Sequence, residues 1–383
     1  MMKRVFWFCP ENDIALGRGC DRFTPPRRAA LLARYGAPLM WWMGDEGDYV
    51  LVPEPDDAAY SREFARWEAG VTERFGQGPR FVTSLDGLDV EEPVPWGWSE
   101  YTIGQMLKAG ASSSLFASVE KRVNDIRQLS HRRSAGLINE ALARSVDFGS
   151  HGQPVPQSAL EAFDADEISR FVAANGMFYV KSPWSSSGRG VFRSDSAPIA
   201  KVLERCNGII RSQGSVMLEP ACDKVADFAM LFSSDGTGTV RFHGYSRFFN
   251  SRDTSYGGNL IATDNEILAE ISAMLPAPLL HNVRDSLEHI LGGLVATTYR
   301  GLLGIDMIVA RNPAVHRLSS ARYMLVPCVE LNLRMTMGHV AHAIHSRTLC
   351  HGTMKTAPAT FAAGAIFNLV PVNAHFNIGF HNR

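Results

Sequence analysis

The feature that most constrains the fold of this chain is an alternation of side chains near its C-terminal end. Between Val329 and Thr336, apolar residues alternate with polar ones, as on a β-strand whose two faces meet different surroundings. The polar face carries Glu330, Asn332 and Arg334. Glutamate and asparagine oxygens are ligands of the kind that Mg²⁺ prefers, and a guanidinium can hold a phosphate oxygen. The pattern predicts a strand in an active-site wall; an ordinary half-exposed strand is the alternative.

A second stretch combines a lysine with a run of small residues. A strand is predicted at 178–181, a tight turn at 185–190, and another strand from Val191 onwards. Small residues let the backbone approach a ligand closely, and consecutive N–H groups in such a turn bind anions. The candidate phosphate-binding residues are Lys181, Ser185, Ser186, Ser187, Gly188, Arg189 and Gly190.

A lone carboxylate, Asp306, lies within the apolar stretch 301–310. Burial of an unpaired carboxylate is costly, so Asp306 is expected to have a cation or a strong donor nearby. The strand that carries it is expected to pair antiparallel with the Glu330 strand.

In chain order these three elements resemble the ATP-grasp superfamily, over roughly residues 120 to 350. There, a lysine-bearing strand and a small-residue loop cover the triphosphate, and an acidic residue followed by a Glu-x-Asn strand holds Mg²⁺. The resemblance implies an α/β (α+β) protein with an ATP-grasp fold and a preceding small α/β domain. It also implies ATP and one or two Mg²⁺ ions, for which Mn²⁺ can substitute, held by Asp306, Glu330 and Asn332.

The same resemblance assigns further nucleotide contacts. The carbonyl of Glu219 and the N–H of Ala221 would hold the adenine, and Asp227 would bind the ribose hydroxyls. An exposed Asp at a strand end is the alternative for Asp227. A basic residue that reaches the phosphates is assigned to Arg132 or, alternatively, to Arg133, in place of the usual lysine.

The activity implied is ATP-dependent ligation of a small-molecule or peptide carboxylate to an amine, less often to a thiol. The carboxylate attacks the γ-phosphate, and the amine then displaces phosphate from the resulting acyl phosphate. Lys181 and Arg334 would offset the charge on the transferred group. A small-molecule kinase on the same fold and a non-catalytic ATP-binding protein are the alternatives. The motifs of P-loop NTPases, dinucleotide-binding folds, serine hydrolases and HExxH metalloproteases are absent from the sequence.

Length and composition set the remaining expectations. The 383 residues predict three units, at 1–117, 118–221 and 222–383. A net charge of −1 gives no reason to expect nucleic acid or a membrane as partner. The six cysteines include no CxxC pair, which favours reduced thiols in the cytoplasm. No stretch approaches the roughly 20 apolar residues of a membrane helix. A homodimer is compatible with the sequence, which does not specify an oligomeric state.

Several local predictions concern the rest of the chain. A buried strand is predicted at 4–9, followed by a turn at 10–13 with a helix cap at Asn12 or Asp13. The apolar runs 38–43 and 49–52 are of strand type. Candidate substrate contacts, with a plain surface loop as the alternative, are Arg247, Arg252, Tyr256 and Asn259. The histidines assigned to helix-face packing rather than to zinc are His339, His342 and His345.

Overall fold

The computed structural model describes residues 2–20, 23–54, 58–185, 190–250, 256–313, 321–349, 352–356, 366–372 and 375–381. These residues form three β-sheets with helices packed against them, so the predicted α/β class is confirmed. No helix within these ranges is both long enough and apolar enough to cross a membrane.

The first sheet is a four-stranded parallel sheet in the order β3-β2-β1-β4. Its central strand is almost continuously apolar and buried, as expected of a parallel strand covered on both faces. The elements are β1 (Arg4–Trp7), α1 (Asn12–Arg18), α2 (Arg27–Gly36), β2 (Tyr49–Leu51), α3 (Ala58–Phe75), β3 (Arg80–Val82), β4 (Glu92–Pro95) and α4 (Glu100–Lys108).

The prediction of a strand at 38–43 is wrong. Residues Ala37–Met43 form a 3₁₀ helix, and six of the seven are buried. A short apolar run bounded by glycine does not distinguish a buried strand from a buried helical turn by periodicity alone. The helix cap was also misplaced: Glu11 is the residue before α1, and neither Asn12 nor Asp13 caps it.

Three helices lead from the first sheet to the second: α5 (Ala117–Glu120), α6 (Val123–Leu129) and α7 (Arg133–Ser145). The second sheet is antiparallel, in the order β5-β8-β6-β7, and has its own apolar core against two helices. Its elements are β5 (Leu160–Ala162), α8 (Ala165–Ala174), β6 (Phe178–Lys181), β7 (Val191–Arg193), α9 (Ile199–Gln213) and β8 (Val216–Pro220).

The third sheet has eight strands, in the order β13-β12-β9-β10-β11-β14-β16-β15. Three of these strands lie among the described residues after 350. The elements are β9 (Lys224–Asp235), β10 (Val240–Asn250), β11 (Tyr256–Ile261), α10 (Asp264–Ser272), α11 (Ala277–Val295), β12 (Arg300–Arg311), β13 (Tyr323–Asn332), α12 (Met337–Thr348), β14 (Gly352–Thr356), β15 (Ile366–Val372) and β16 (His375–His381).

The strands β12 and β13 pair antiparallel, as predicted. On its other side, β13 meets side chains from α7 and the segment that follows it. Asn139 donates from Nδ2 to the carbonyl of Cys328 at 2.9 Å. Gln153 donates to the carbonyl of Tyr323 at 3.1 Å and accepts from the N–H of Leu325 at 2.9 Å. Helix α7 is therefore fixed beside the strand that carries Glu330.

Candidate active site

A cavity of about 290 Å³ lies between the second sheet, the third sheet and the carboxyl ends of β1 and β4. We call it the cleft. It gathers side chains from sequence motifs that lie far apart along the chain. The predicted site residues that line it are Arg132, Lys181, Glu219, Asp227, Asp306, Glu330, Asn332 and Arg334.

An acidic pair occupies the middle of the paired strands β12 and β13. Asp306 and Glu330 are direct cross-strand partners, which places their Cβ atoms about 5 Å apart. Asn332 also faces the cleft, close enough to Asp306 for its side chain to lower the pKa of that carboxyl. The side-chain oxygen of Asn332 is a further potential ligand on the same wall as the two carboxylates. Two carboxylates and one amide oxygen therefore converge on one wall of the cleft.

The two carboxylates repel each other. Burial, followed by the charge of Glu330, raises the pKa of Asp306 to about 7, while Arg334 and Asn332 act in the opposite direction. Two carboxylates that share a buried site resist simultaneous ionisation, and a divalent cation relieves that repulsion. Since the donors are all hard oxygens, this set of residues fits Mg²⁺.

Arg132 connects the acidic pair to the small-residue loop. Its Nη1 lies 3.0 Å from Oε2 of Glu330. Its Nε donates to the carbonyl of Ser182 and its Nη2 to Oγ of Ser185, each at 3.1 Å. The alternative residue, Arg133, is instead paired with Glu161 at 3.1 Å and is not part of the cleft wall.

Both lysines that line the cleft are held by carboxylates. Lys181 ends β6 and is ion-paired with Glu219 of the neighbouring strand β8. Lys224 lies 2.8 Å from Oδ2 of Asp227. Asp227 is 8% exposed and lies within β9, so it is a buried, paired side chain and not the exposed strand-end residue of the alternative interpretation.

The backbone contact assigned to Ala221 needs correction. Its N–H already donates to the carbonyl of Met177 at 2.9 Å, on the side that faces β6. Backbone groups of successive residues in an extended strand point to opposite sides. The carbonyl of Pro220 and the N–H of Cys222 are therefore expected on the other side, and both residues line the cleft whereas Ala221 does not. A carbonyl and an N–H two residues apart suit the edge of a planar base.

The small-residue loop is only partly described. Ser186, Ser187, Gly188 and Arg189 lie outside the described residues. Ser185 is buried against Arg132. Gly190 has a φ of +71°, and a Cβ there would lie 2.5 Å from Oγ of Ser182. Only glycine fits this closing position without strain.

Arg334 is held from the other end of the chain. Its Nε donates to Oδ2 of Asp13 in α1 at 2.7 Å. Burial opposes the charge of the guanidinium, but Asp13 and then Glu330 outweigh that effect, and the pKa of Arg334 is raised. Asp13 therefore fixes the orientation of Arg334, a role that its short-range sequence context did not reveal.

Two of the four candidate substrate contacts line the cleft. Tyr256 and Asn259 line the cleft, and Asn259 donates to Oγ of Ser246 at 2.7 Å. Arg247 does not line it, because its Nε pairs with Glu270 at 2.9 Å. Arg252 lies outside the described residues.

His339 begins a capping arrangement at the start of α12. Its Nδ1 accepts from the N–H of Thr336 at 3.1 Å. Burial lowers the pKa of His339 to about 3, so its imidazole is neutral. His342 lies 3.9 Å from Asp264. Both histidines pack on or cap a helix, which was the prediction for this series.

Comparison with known proteins gives matches in solved structures alone. No protein-family model matches the sequence, and no curated protein matches it either. The biotin carboxylase domain of Hydrogenobacter thermophilus 2-oxoglutarate carboxylase, solved with MgADP, ADP and bicarbonate, is 13% identical at a TM-score of 0.46. The match covers 91% of this chain and 70% of that one.

Two further structures are similar to the same extent. N5-carboxyaminoimidazole synthetase from Staphylococcus aureus, complexed with ADP, is 12% identical at a TM-score of 0.42, with 88% of this chain and 72% of that chain covered. Biotin carboxylase from Campylobacter jejuni, in an ATP complex, is 11% identical at a TM-score of 0.44, with 91% and 71% covered. Because these TM-scores are below 0.5, the similarities carry no weight for activity or substrate. The three sequence elements on which the resemblance rests lie on the second and third sheets, and both sheets line the cleft.

Proposed function

We propose that this chain is an ATP-dependent ligase that joins a carboxylate to an amine through an acyl phosphate. One observation carries the proposal: Asp306, Glu330 and Asn332 line the same cleft as Lys181 of the second sheet, and Arg132 pairs with Glu330 between the two sheets. Oxygen ligands for a cation and fixed positive charges therefore share one small cavity, and phosphoryl transfer depends on both.

The nucleotide would lie between the second and third sheets. Pro220 and Cys222 would contact the adenine edge through their backbone, and Asp227 the ribose. Lys181 and Arg132 would contact the phosphates, for which they would exchange their present carboxylate partners. Asp306, Glu330 and Asn332 would hold Mg²⁺, which supplies positive charge at the phosphate oxygens.

The protein's part in the reaction is placement and charge neutralisation. In the first step a carboxylate oxygen bonds to the γ-phosphorus while the bond to the departing ADP oxygen breaks. In the second, the amine nitrogen bonds to the acyl carbon, phosphate leaves with the bridging oxygen, and the nitrogen loses a proton. Arg334, oriented by Asp13, would offset charge on the transferred group, and the 185–190 loop would exclude water.

The test is a screen for ADP and phosphate release over pooled carboxylates and amines, with mass detection of the products. We expect ADP release that needs a carboxylate, and an amide product once an amine is present. ADP release with a stable phosphorylated alcohol would identify a kinase. Tight ATP binding without ADP release against any acceptor would identify a binding protein.

Two variants probe the acidic pair in the same assay. We expect Asp306→Asn and Glu330→Ala to lower turnover by about 10³-fold or more, because loss of a metal ligand removes several kcal/mol of charge stabilisation. Asp285→Asn, at an exposed aspartate of α11, is the matched control. Unchanged ADP release in either cleft variant would contradict the metal assignment.

A further inference from the structure

The wall of the cleft is apolar where it meets the first sheet. Phe8, Leu39 and Trp96 line it there, although they are only 3%, 6% and 4% exposed. The rings of Phe8 and Trp96 pack edge to face, with centroids 4.8 Å apart. Leu32 of α2 adds a half-buried side chain to the same surface. Among the described residues before 117, no charged side chain lines the cleft. We call this surface the apolar patch.

The apolar patch adjoins Arg334. The carbonyl of Trp96 accepts a hydrogen bond from the N–H of Met335 at 2.7 Å. The next residue, Gly97, forms a β-bridge with Arg334 itself. Apart from Arg132, which precedes α7, the residues proposed to hold the nucleotide lie on β6, β8 and β9 or just beyond them. The patch is therefore left for the second substrate, on the side of the cleft where the transferred phosphate would be accepted.

We propose that the apolar patch is a subsite for the side group of the carboxylate substrate, and this inference rests on the proposed ligase function. The carboxylate lies beside Arg334, and a branched aliphatic or aromatic group fills the surface formed by Phe8, Leu32, Leu39 and Trp96. A second charged group on the substrate finds no partner there, so burying it is costly. The substrate class is therefore a small monocarboxylic acid with an apolar group.

The first experiment uses hydroxylamine, which captures acyl phosphates as hydroxamates and removes the need to know the amine. ADP release and hydroxamate formation are measured with 3-phenylpropionate and isovalerate, and with succinate and malonate as charged counterparts. We expect kcat/KM at least tenfold higher for the apolar acids. Equal or higher values for the dicarboxylates would overturn the inference.

Variants of Leu32 locate the effect. Leu32→Glu is expected to lower kcat/KM for 3-phenylpropionate at least tenfold without changing MgADP affinity, measured by calorimetry. Leu32→Trp, which remains apolar but occupies space, is expected to shift preference from 3-phenylpropionate towards propionate. Ala30→Glu, at an exposed position of the same helix, is the matched control and should behave like the unchanged protein. If the apolar patch only packs the core and does not contact the substrate, Leu32→Trp will not change the preference between the two acids. That result would overturn the inference.

A direct binding measurement separates this inference from the ligase proposal. Saturation-transfer NMR with 3-phenylpropionate, in the presence of MgADP, should show binding that Leu32→Glu abolishes. Binding without ADP release against any acceptor would leave the subsite standing and refute the ligase. ADP release with succinate but not with apolar acids would leave the ligase standing and refute the subsite. Absence of both binding and turnover with the apolar acids also refutes the subsite.

Discussion

Asp306 is the residue whose charge depends most on what else occupies the cleft. Its raised pKa, about 7, means that the folded chain binds a proton there which the unfolded chain releases above its ordinary value near 4. Protonated Asp306 therefore contributes to the free energy of unfolding. This contribution is fully present below about pH 4 and is lost as the pH rises through about 7. A metal ligand must be deprotonated, so a bound cation reverses this preference.

The affinity for MgADP should therefore depend on pH. Because a proton must leave Asp306, we expect the affinity to weaken by about fivefold between pH 7 and pH 6 and to level off above pH 8. Calorimetric titration at each pH measures it. Asp306→Asn should give weak binding with a flat profile, whereas Asp285→Asn should keep the slope. A steep profile that persists in Asp306→Asn would assign the proton to another group.

Asp13 acts through Arg334. In Asp13→Asn the guanidinium keeps a hydrogen-bonding neighbour but loses its paired charge, so its orientation is less fixed. We expect kcat to fall by about tenfold, equivalent to about 1.4 kcal/mol, while the KM for ATP stays within about twofold. Asp89→Asn, at an exposed carboxylate of the same part of the chain, is the control. A lower melting temperature with unchanged kcat would reduce Asp13 to a structural role.

At the scale of elements, the β6–β7 hairpin depends on the backbone of Gly190. In Gly190→Ala the positive φ is strained and the methyl group collides with Ser182. We expect a loss of roughly 1–2 kcal/mol in the free energy of unfolding and about tenfold weaker MgADP binding. Gly214→Ala is a matched control, because its φ is +89° but no atom lies within 4 Å of the added Cβ. It should lose similar stability and keep its nucleotide affinity.

The pairing of β12 with β13 was predictable because its signal is local. Alternation with a period of two fixes which side chains share a face, and an acidic residue in each strand is visible in the sequence. The 3₁₀ helix at 37–43 was not predictable in this way, since its residues are apolar on every side. The contact between Asp13 and Arg334 joins residues 321 positions apart, and one sequence carries no pattern that connects them. The assignment of a base contact to the N–H of Ala221 was wrong for another reason. The register between β6 and β8 decides which backbone groups at the end of β8 face the cleft, and one sequence does not show that register.

At the scale of the whole molecule, Arg347 joins the far end of α12 to the 3₁₀ helix Ala37–Met43 and the turn that follows it. Its guanidinium lies 5.2 Å from the ring centroid of Trp41, contacts Asp45 at 2.9 Å and donates to the carbonyl of Gly44. Asp45 is 63% exposed in its side chain, so the ion pair adds little. The stabilisation by Arg347 therefore comes mainly from its stacking on Trp41 and its hydrogen bond to the carbonyl of Gly44.

Arg347→Ala should lower the free energy of unfolding by about 1–2 kcal/mol. MgADP affinity should stay unchanged, because the cleft lies at the opposite end of α12. Urea unfolding and calorimetry measure the two quantities, and Arg66→Ala, at an exposed arginine of α3, is the control. A loss of nucleotide affinity without a loss of stability would contradict this division of roles.

Strand β13 lies at one edge of the third sheet, and this position has a further consequence for the molecule. An edge strand offers its outer backbone groups to any other chain and invites aggregation. Here Asn139 and Gln153 form hydrogen bonds with three of those groups, and Asn139 belongs to the helix that begins beside Arg132. Helix α7, which covers part of this edge, thus also positions the guanidinium of Arg132 next to Glu330. A change that loosens α7 to free Arg132 would expose the edge at the same time, so gains in activity by that route would come with loss of solubility.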